Sequence, residues 1–164
     1  MNMELMLQIA PMREEDLNTA AEVHRLAFPR QNDSYQWLSS SLAAGPRIMP
    51  FVLMLRGQVE GYIIWAQKSG FRSETVLELE QIAIHPDYRH QGLGAQLIRQ
   101  SLPLVREQLD RQQSELKHIM VTTRADNRAQ RLYRRVLGAK VEATLSKLYS
   151  ADEVVMVARN VAIA

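Results

Sequence analysis

VLELEQIAIHPDYRHQGLGAQLI, residues 76–98, passes from a strand pattern through a turn into the start of a helix. Leu77 and Leu79 alternate with Glu78 and Glu80, the period of two of a half-buried strand. Pro86-Asp87 marks a turn, and Arg89-His90-Gln91-Gly92-Leu93-Gly94 then opens the helix. Glycine at 92 and 94 removes two Cβ atoms, so an anion can approach the backbone N–H groups closely. The first N–H groups of a helix have no internal partner and carry the positive end of its dipole. These first N–H groups therefore read as a phosphate-sized anion cradle, with Arg89 adding a permanent charge at its mouth. The segment is not a Walker A loop, which needs GxxxxGK[ST]. It is a poor dinucleotide fingerprint too, because Leu97 stands at the third glycine position. A bare GxG also suits a glycine-assisted turn ahead of an ordinary helix.

Outward from this stretch, strands and helices alternate. Leu5–Ala10 is a short apolar strand ended by Pro11. Arg13–Phe28 has apolar residues at roughly helical period, with Glu14, Glu15 and Asp16 in its first turn and Pro29 after its end. Gln31–Tyr35 reads as a loop and Gln36–Ala43 as a second helix. Phe51–Leu55 and Val59–Ala66 flank Arg56-Gly57-Gln58 as a hairpin. Val76–Ile84 is the next strand and Gly92–Gln112 a helix that Pro103 is expected to kink or divide. His118–Thr123 is a strand, Asn127–Leu137 a helix ended by Gly138, and Ala139–Leu148 and Val154–Arg159 are closing strands. This pattern predicts a mixed α/β (α+β) fold, a central sheet of about seven strands flanked by about four helices.

The glycine segment resembles motif A of the GNAT acetyltransferase superfamily, [QR]xxGx[GA] after a strand and a turn. Arg89, Gly92 and Gly94 match in order, and Ile82-Ala83-Ile84-His85-Pro86 looks like the family's strand end. Downstream, Arg124-Ala125-Asp126-Asn127, Leu132-Tyr133 and Gly138 resemble its second motif. The order of elements over nearly the whole chain also fits. The resemblance implies acetyl-CoA as co-substrate, lying between two parallel strands that splay apart. Its pantetheine would pair with backbone groups of Ile82, Ala83 and Ile84. Its pyrophosphate would rest on the amides of His90, Gln91, Gly92, Leu93, Gly94 and Ala95, beside Arg89. Asn127 matches a position near the pantetheine arm, and an Asn just before a helix is also a natural cap. The alternation changes character near Gln81, as a bulge re-aiming the strand would produce.

Family members attack the thioester directly with the amine, and the absence of Cys agrees with that. The resemblance makes Tyr133 the proton donor for the departing thiolate. In the family, however, this tyrosine stands one residue farther from the Asn and one closer to the Gly. One residue of helical phase is about 100°, so either the helix carries a bulge or Tyr133 points elsewhere and water serves the sulfur. Glu78 and Glu80 lie on one strand face and match positions of a base or a water-ordering residue; Glu80 is preferred. His85 reads as a turn residue. The acceptor segments are Phe28–Trp37 and roughly Leu145–Met156, in which Tyr35, Trp37 and Tyr149 are candidates to wall a groove. Asp33, Asp152 and Glu153 are candidates to attract an amine. Ala27-Phe28-Pro29 and Tyr149…Glu153…Met156 faintly resemble members that acetylate protein N-termini, although Thr122 replaces a glutamate of those enzymes. Small amines and protein N-termini or lysines thus both stay open as acceptors. The alternative to an enzyme is a non-catalytic acyl-CoA-binding regulatory module.

Composition bounds the rest. With 164 residues and 46% hydrophobic side chains, the chain is expected to be a single domain, 1–164. Zero Cys excludes disulfides, thiol nucleophiles and Cys-based metal sites. His24, His85, His90 and His118 have no ligand spacing, so no metal is expected. The N-terminal MNMELMLQIAPM lacks a basic region before its short apolar stretch, and no apolar run nears the ~20 residues of a membrane helix. A cytoplasmic protein without membrane attachment is the expectation. Residues 1–82 carry 7 basic and 10 acidic side chains, a net −3, whereas 83–164 carry 13 and 8, a net +5. The half that holds the glycine motif is thus the positive one. Arg124, Arg128, Arg131, Arg134 and Arg135 recur at three-to-four spacing as a solvated face near the CoA phosphates, and no nucleic-acid partner is expected. Many family members are dimers, so the resemblance carries a homodimer as an expectation.

Overall fold

Each periodic segment of the sequence becomes a regular element. The computed structural model describes residues 6–162; Leu5, placed in the first strand above, lies outside them. In chain order the elements are β1 (Leu7–Pro11), α1 (Leu17–Ala27), α2 (Ser34–Ala43), β2 (Ile48–Leu55), β3 (Gln58–Gln67), β4 (Glu74–Ile84), α3 (Leu93–Arg111), β5 (Glu115–Arg124), α4 (Ala129–Leu137), β6 (Lys140–Leu145) and β7 (Glu153–Ala158). The strands form one seven-stranded sheet in the order β1-β2-β3-β4-β5-β7-β6. β1 pairs antiparallel with β2, and β7 antiparallel with both β5 and β6. β4 and β5 are parallel, with Glu74–Glu78 in register with Glu115–Met120. Parallel neighbours need a long crossover, and α3 supplies it.

The described residues cluster in two compact units, one of 6–65 with 81–101, the other of 66–80 with 102–162. In the first, α1 and α2 bury Leu17, Ala20, Val23 and Leu38 against Val52, Tyr62 and Ile64. The fully buried Trp65 donates its indole N–H to Ser101 Oγ at 2.9 Å, which removes the cost of an unpaired buried donor. In the second, Leu77 and Leu79 of β4, Ile119 and Val121 of β5 and Met156 of β7 are buried. Among the described residues no helix is long and apolar enough to cross a membrane.

Local competition moves several expected boundaries. The first helix begins at Leu17, because Glu14–Asp16 form a separate 3-10 turn in which the Asp16 carboxylate accepts the Arg13 N–H at 2.8 Å. Pro103 does not divide α3, which runs unbroken through it. Leu97, Ile98, Leu102, Val105 and Leu109 form a buried stripe that offsets the lost backbone bond. Along its pairing with β5, which covers Glu74–Glu78, β4 shifts register between Thr75 and Val76. Thr75, Leu77, Leu79 and Ala83 all point inward, so the strand keeps its parity, and Gln81 is the one half-exposed inward position in that series.

Gly61 of β3 faces the end of β4. A Cβ there would stand 2.8 Å from Ile84 Cδ1 and 3.0 Å from the Ala83 carbonyl oxygen. The side chain can swing away, but the carbonyl belongs to the strand backbone. Gly61→Ala is expected to destabilise the fold by about 1–3 kcal/mol, read as a lower denaturation midpoint. An unchanged midpoint would mean that β4 yields at no cost.

Candidate active site

The end of β4 and the start of α3 are joined by a short, self-bonded connection within the first unit. The His85 N–H donates to the Glu60 carbonyl at 2.7 Å, which holds the strand end. His85 Nδ1 then accepts the Asp87 N–H at 3.1 Å, opening a 3-10 turn over Pro86–Tyr88, so His85 does serve the turn. Arg89 reaches back with Nε to the Ile84 carbonyl at 3.2 Å, which ties the loop to the strand it follows. His90 and Gly92 both take positive φ, +63° and +76°. At Gly92 a side chain would be strained, and a Cβ there would meet nothing within 4 Å. The first bond of α3 runs from the Gln96 N–H to the Gly92 carbonyl at 3.2 Å. The amides of Leu93, Gly94 and Ala95 precede that bond, as a helix start requires. Arg89, His90, Gln91 and Gly92 are exposed, while Leu93 and Ala95 are buried and anchor the helix. The arrangement offers fixed donors and open room for an anion.

Next to this strand end the first unit holds a chain of polar side chains. Gln81 Oε1 accepts the Trp37 indole N–H at 2.9 Å and the Tyr62 hydroxyl at 2.6 Å. Gln81 Nε2 donates to Gln31 Oε1 at 3.2 Å. The same Gln31 oxygen lies 2.9 Å from His24 Nε2, and His24 Nδ1 lies 2.8 Å from Ser34 Oγ. Burial lowers the pKa of His24 and raises that of Tyr62, so both stay neutral near pH 7. Trp37 therefore belongs to an assembly around β4. Tyr35 does not: it lines a separate cleft of about 460 Å³ with Arg13, Glu14, Leu17, Ser39 and Leu42. Two residues along a helix turn the side chain by about 200°, so Tyr35 and Trp37 leave α2 on different sides.

The remaining expected residues lie in the second unit. Glu78 and Glu80 share the half-buried face of β4, and Glu78 is paired with Lys68 Nζ at 2.9 Å. Asn127 Oδ1 accepts the Ala129 N–H at 2.8 Å while its amide donates to Thr123 Oγ1 at 3.0 Å, so it caps α4 and fastens it to β5. Tyr133 is buried, 5% exposed, and burial pushes its hydroxyl up to about 12. Gly138, at φ +72°, closes α4 with its N–H on the Arg134 carbonyl at 3.0 Å. Tyr149 is 76% exposed. Arg124 forms a two-pronged pair with Asp126 at 3.0 and 3.1 Å and also reaches Ser150.

The structure thus brings together Ile82–Ile84 with Arg89–Ala95 in one unit, and Glu78, Glu80, Asn127, Tyr133 and Tyr149 are carried by the other. His24, Gln31, Tyr62 and Gln81 were not singled out as site residues from the sequence. The available signal was Gln81, a polar residue at an inward position between Leu79 and Ala83.

Comparison with known proteins agrees with this geometry. No curated protein matches the chain in sequence. Among solved structures, the ribosomal-protein-S18-alanine N-acetyltransferase of Escherichia coli superposes with a TM-score of 0.75 at 21% identity, over 97% of each chain. Ard1 of Thermoplasma volcanium gives 0.75 at 20% identity, over 97% of this chain and 99% of its own. An aminoglycoside 6'-acetyltransferase type Ii gives 0.74 at 13% identity, over 94% and 98%. At such identities the likeness is one of fold. The family model described as "Acetyltransferase (GNAT) family" matches residues 12–139, most of the chain and every element from α1 to α4. The matched range includes the strand end, the turn and the glycine-opened helix described above, and the chain belongs to the GNAT acetyltransferase family.

Proposed function

We propose that this protein is an acetyl-CoA-dependent N-acetyltransferase that moves an acetyl group to a primary amine by direct attack. The observation that carries the reading is the loop at Gly92, where a positive φ and empty space at the Cβ position expose successive amides ahead of α3. The backbone of Ile82–Ile84 holds the pantetheine arm, and His90–Ala95 with Arg89 hold the pyrophosphate. Asn127 serves the same arm from the start of α4.

The amine nitrogen attacks the thioester carbonyl carbon and forms a C–N bond, and collapse of the tetrahedral species breaks the C–S bond. Glu80, or Glu78 through water, takes the proton that the nitrogen loses. Tyr133 gives its hydroxyl proton to the thiolate and is reprotonated from solvent. Trp37 and Tyr149 stand on the acceptor side. The enzyme works on cytoplasmic acetyl-CoA as one catalytic domain.

A second reading, a non-catalytic acyl-CoA-binding module, draws on the burial of Tyr133. Thiol release separates the two. The chain contains no Cys, so a thiol reagent reports free CoA without background from the protein. Amine-dependent thiol release with small amines or short peptides is expected. Tight acetyl-CoA binding with no release for any acceptor would establish the binding module instead.

A further inference from the structure

One donor-only group sets the direction of every hydrogen bond in the Gln81 assembly. An indole N–H can only donate, so the Gln81 atom 2.9 Å from Trp37 Nε1 must be its oxygen. The other end of that amide is then the NH2, and its partner 3.2 Å away must be the oxygen of Gln31. An amide oxygen only accepts, so His24 Nε2, 2.9 Å from it, carries the proton. His24 is buried and neutral, which leaves Nδ1 to accept from the Ser34 hydroxyl. Gln81 Oε1 and Gln31 Oε1 each take two hydrogen bonds, which fills both lone pairs of each oxygen.

This polarity leaves a donor at the exposed end of the chain. Among the described residues, Nε2 of Gln31 donates to no partner, and Gln31 is exposed. Its orientation is fixed through its oxygen, so its two N–H groups are presented as a rigid pair rather than a free rotor. Gln31 is also one hydrogen bond from Gln81, the residue that directly precedes Ile82–Ile84. On the proposed reading the thioester lies along Ile82–Ile84, so Gln31 is tied to the residue that precedes it.

We infer that Gln31 determines acceptor specificity: its Nε2 donates to a carbonyl oxygen on the amine substrate, selecting α-amino carbonyl compounds over plain alkylamines. The inference rests on the acetyltransferase reading above. Trp37 supplies a fixed aromatic wall beside this donor, while Gln81 and His24 position Gln31 and do not touch the substrate. A fixed amide donor discriminates against an acceptor that offers no oxygen, because its N–H groups then lose water without a replacement bond.

Gln31→Glu tests this directly. The carboxylate keeps an oxygen for both accepted bonds, from His24 and Gln81, and replaces the two donors by an acceptor. Its charge attracts every cationic amine alike, so the informative quantity is the ratio of kcat/KM between paired acceptors. The pairs are α-amino amides and short peptides, each matched with an alkylamine of the same skeleton. Comparing variant with wild type for each pair cancels the amines' own basicities. The wild type is expected to favour the carbonyl-bearing partner, and the variant to lose about tenfold or more of that preference, with an unchanged thermal midpoint. An unchanged ratio in the variant, or no preference in the wild type, would overturn the role of Gln31 and leave acetyl transfer standing. No thiol release by the wild type with any member of the panel would overturn the acetyltransferase reading, and this inference with it.

Discussion

Gly92→Asp is expected to weaken acetyl-CoA binding by at least two orders of magnitude in a calorimetric titration. Two effects combine in that variant. The backbone at 92 has φ +76°, where any side chain is strained by about 1 kcal/mol. The new side chain would also point into open space, since a Cβ there meets no protein atom within 4 Å. On the proposed reading that space belongs to the pyrophosphate, and a carboxylate about 4 Å from a phosphate charge costs about 4 kcal/mol near a protein surface before salt screening. Gly92→Asn separates the contributions, because it carries similar backbone strain and no charge. It should lose about tenfold, less than the Asp variant, and the gap between them should narrow at high salt. Equal losses in both variants would assign the effect to the loop conformation alone. Wild-type affinity in the Asp variant would move the phosphate site away from this helix start.

Tyr133→Phe is expected to lower kcat by about 10²–10³-fold, the range of a general-acid contribution, with little change in acetyl-CoA affinity. The substitution removes only a buried oxygen, so the packing of α4 is retained. The pH dependence is a second signature. Burial pushes the Tyr133 hydroxyl up to about 12 from an ordinary 10.0, so the proton donor stays protonated well past pH 10. The wild-type rate should therefore rise as the amine loses its proton and show no alkaline fall from this tyrosine below pH 11. A loss of less than about threefold in kcat would reduce Tyr133 to a packing role and leave the thiolate to water.

The same shift has a consequence for stability. The folded state favours the neutral phenol, so this contribution is complete below the unfolded value of 10.0 and is lost as pH rises to about 12. Tyr62, raised in the same direction by burial, adds to that loss. Denaturation midpoints should fall over this window, and by less in Tyr133→Phe, which lacks one of the two groups.

The segment from Glu78 to Gly94 was legible because its chemistry is contiguous: strand, turn, glycines and helix start follow one another within the reach of local geometry. The alternation of Leu77, Leu79 and Ala83 and the capping Asn127 and Gly138 belong to the same class, since period and cap are nearest-neighbour properties. What only the tertiary structure decided is which distant polar groups meet. His24, Gln31, Trp37, Tyr62 and Gln81 sit on α1, a loop, α2, β3 and β4, and no spacing along the chain relates them. Tyr35 and Trp37 look equivalent in sequence, yet the turn of α2 sends one to an outer cleft and the other to Gln81. Pro103 shows the same limit from the other side, because burial of a whole apolar stripe outweighs a local helix breaker. Sequence by itself determined the family, the fold class and the glycine loop that opens α3, since these rest on local backbone geometry. The direction of the hydrogen-bond chain, and with it the donors left facing an acceptor, depends on side chains whose proximity only packing creates.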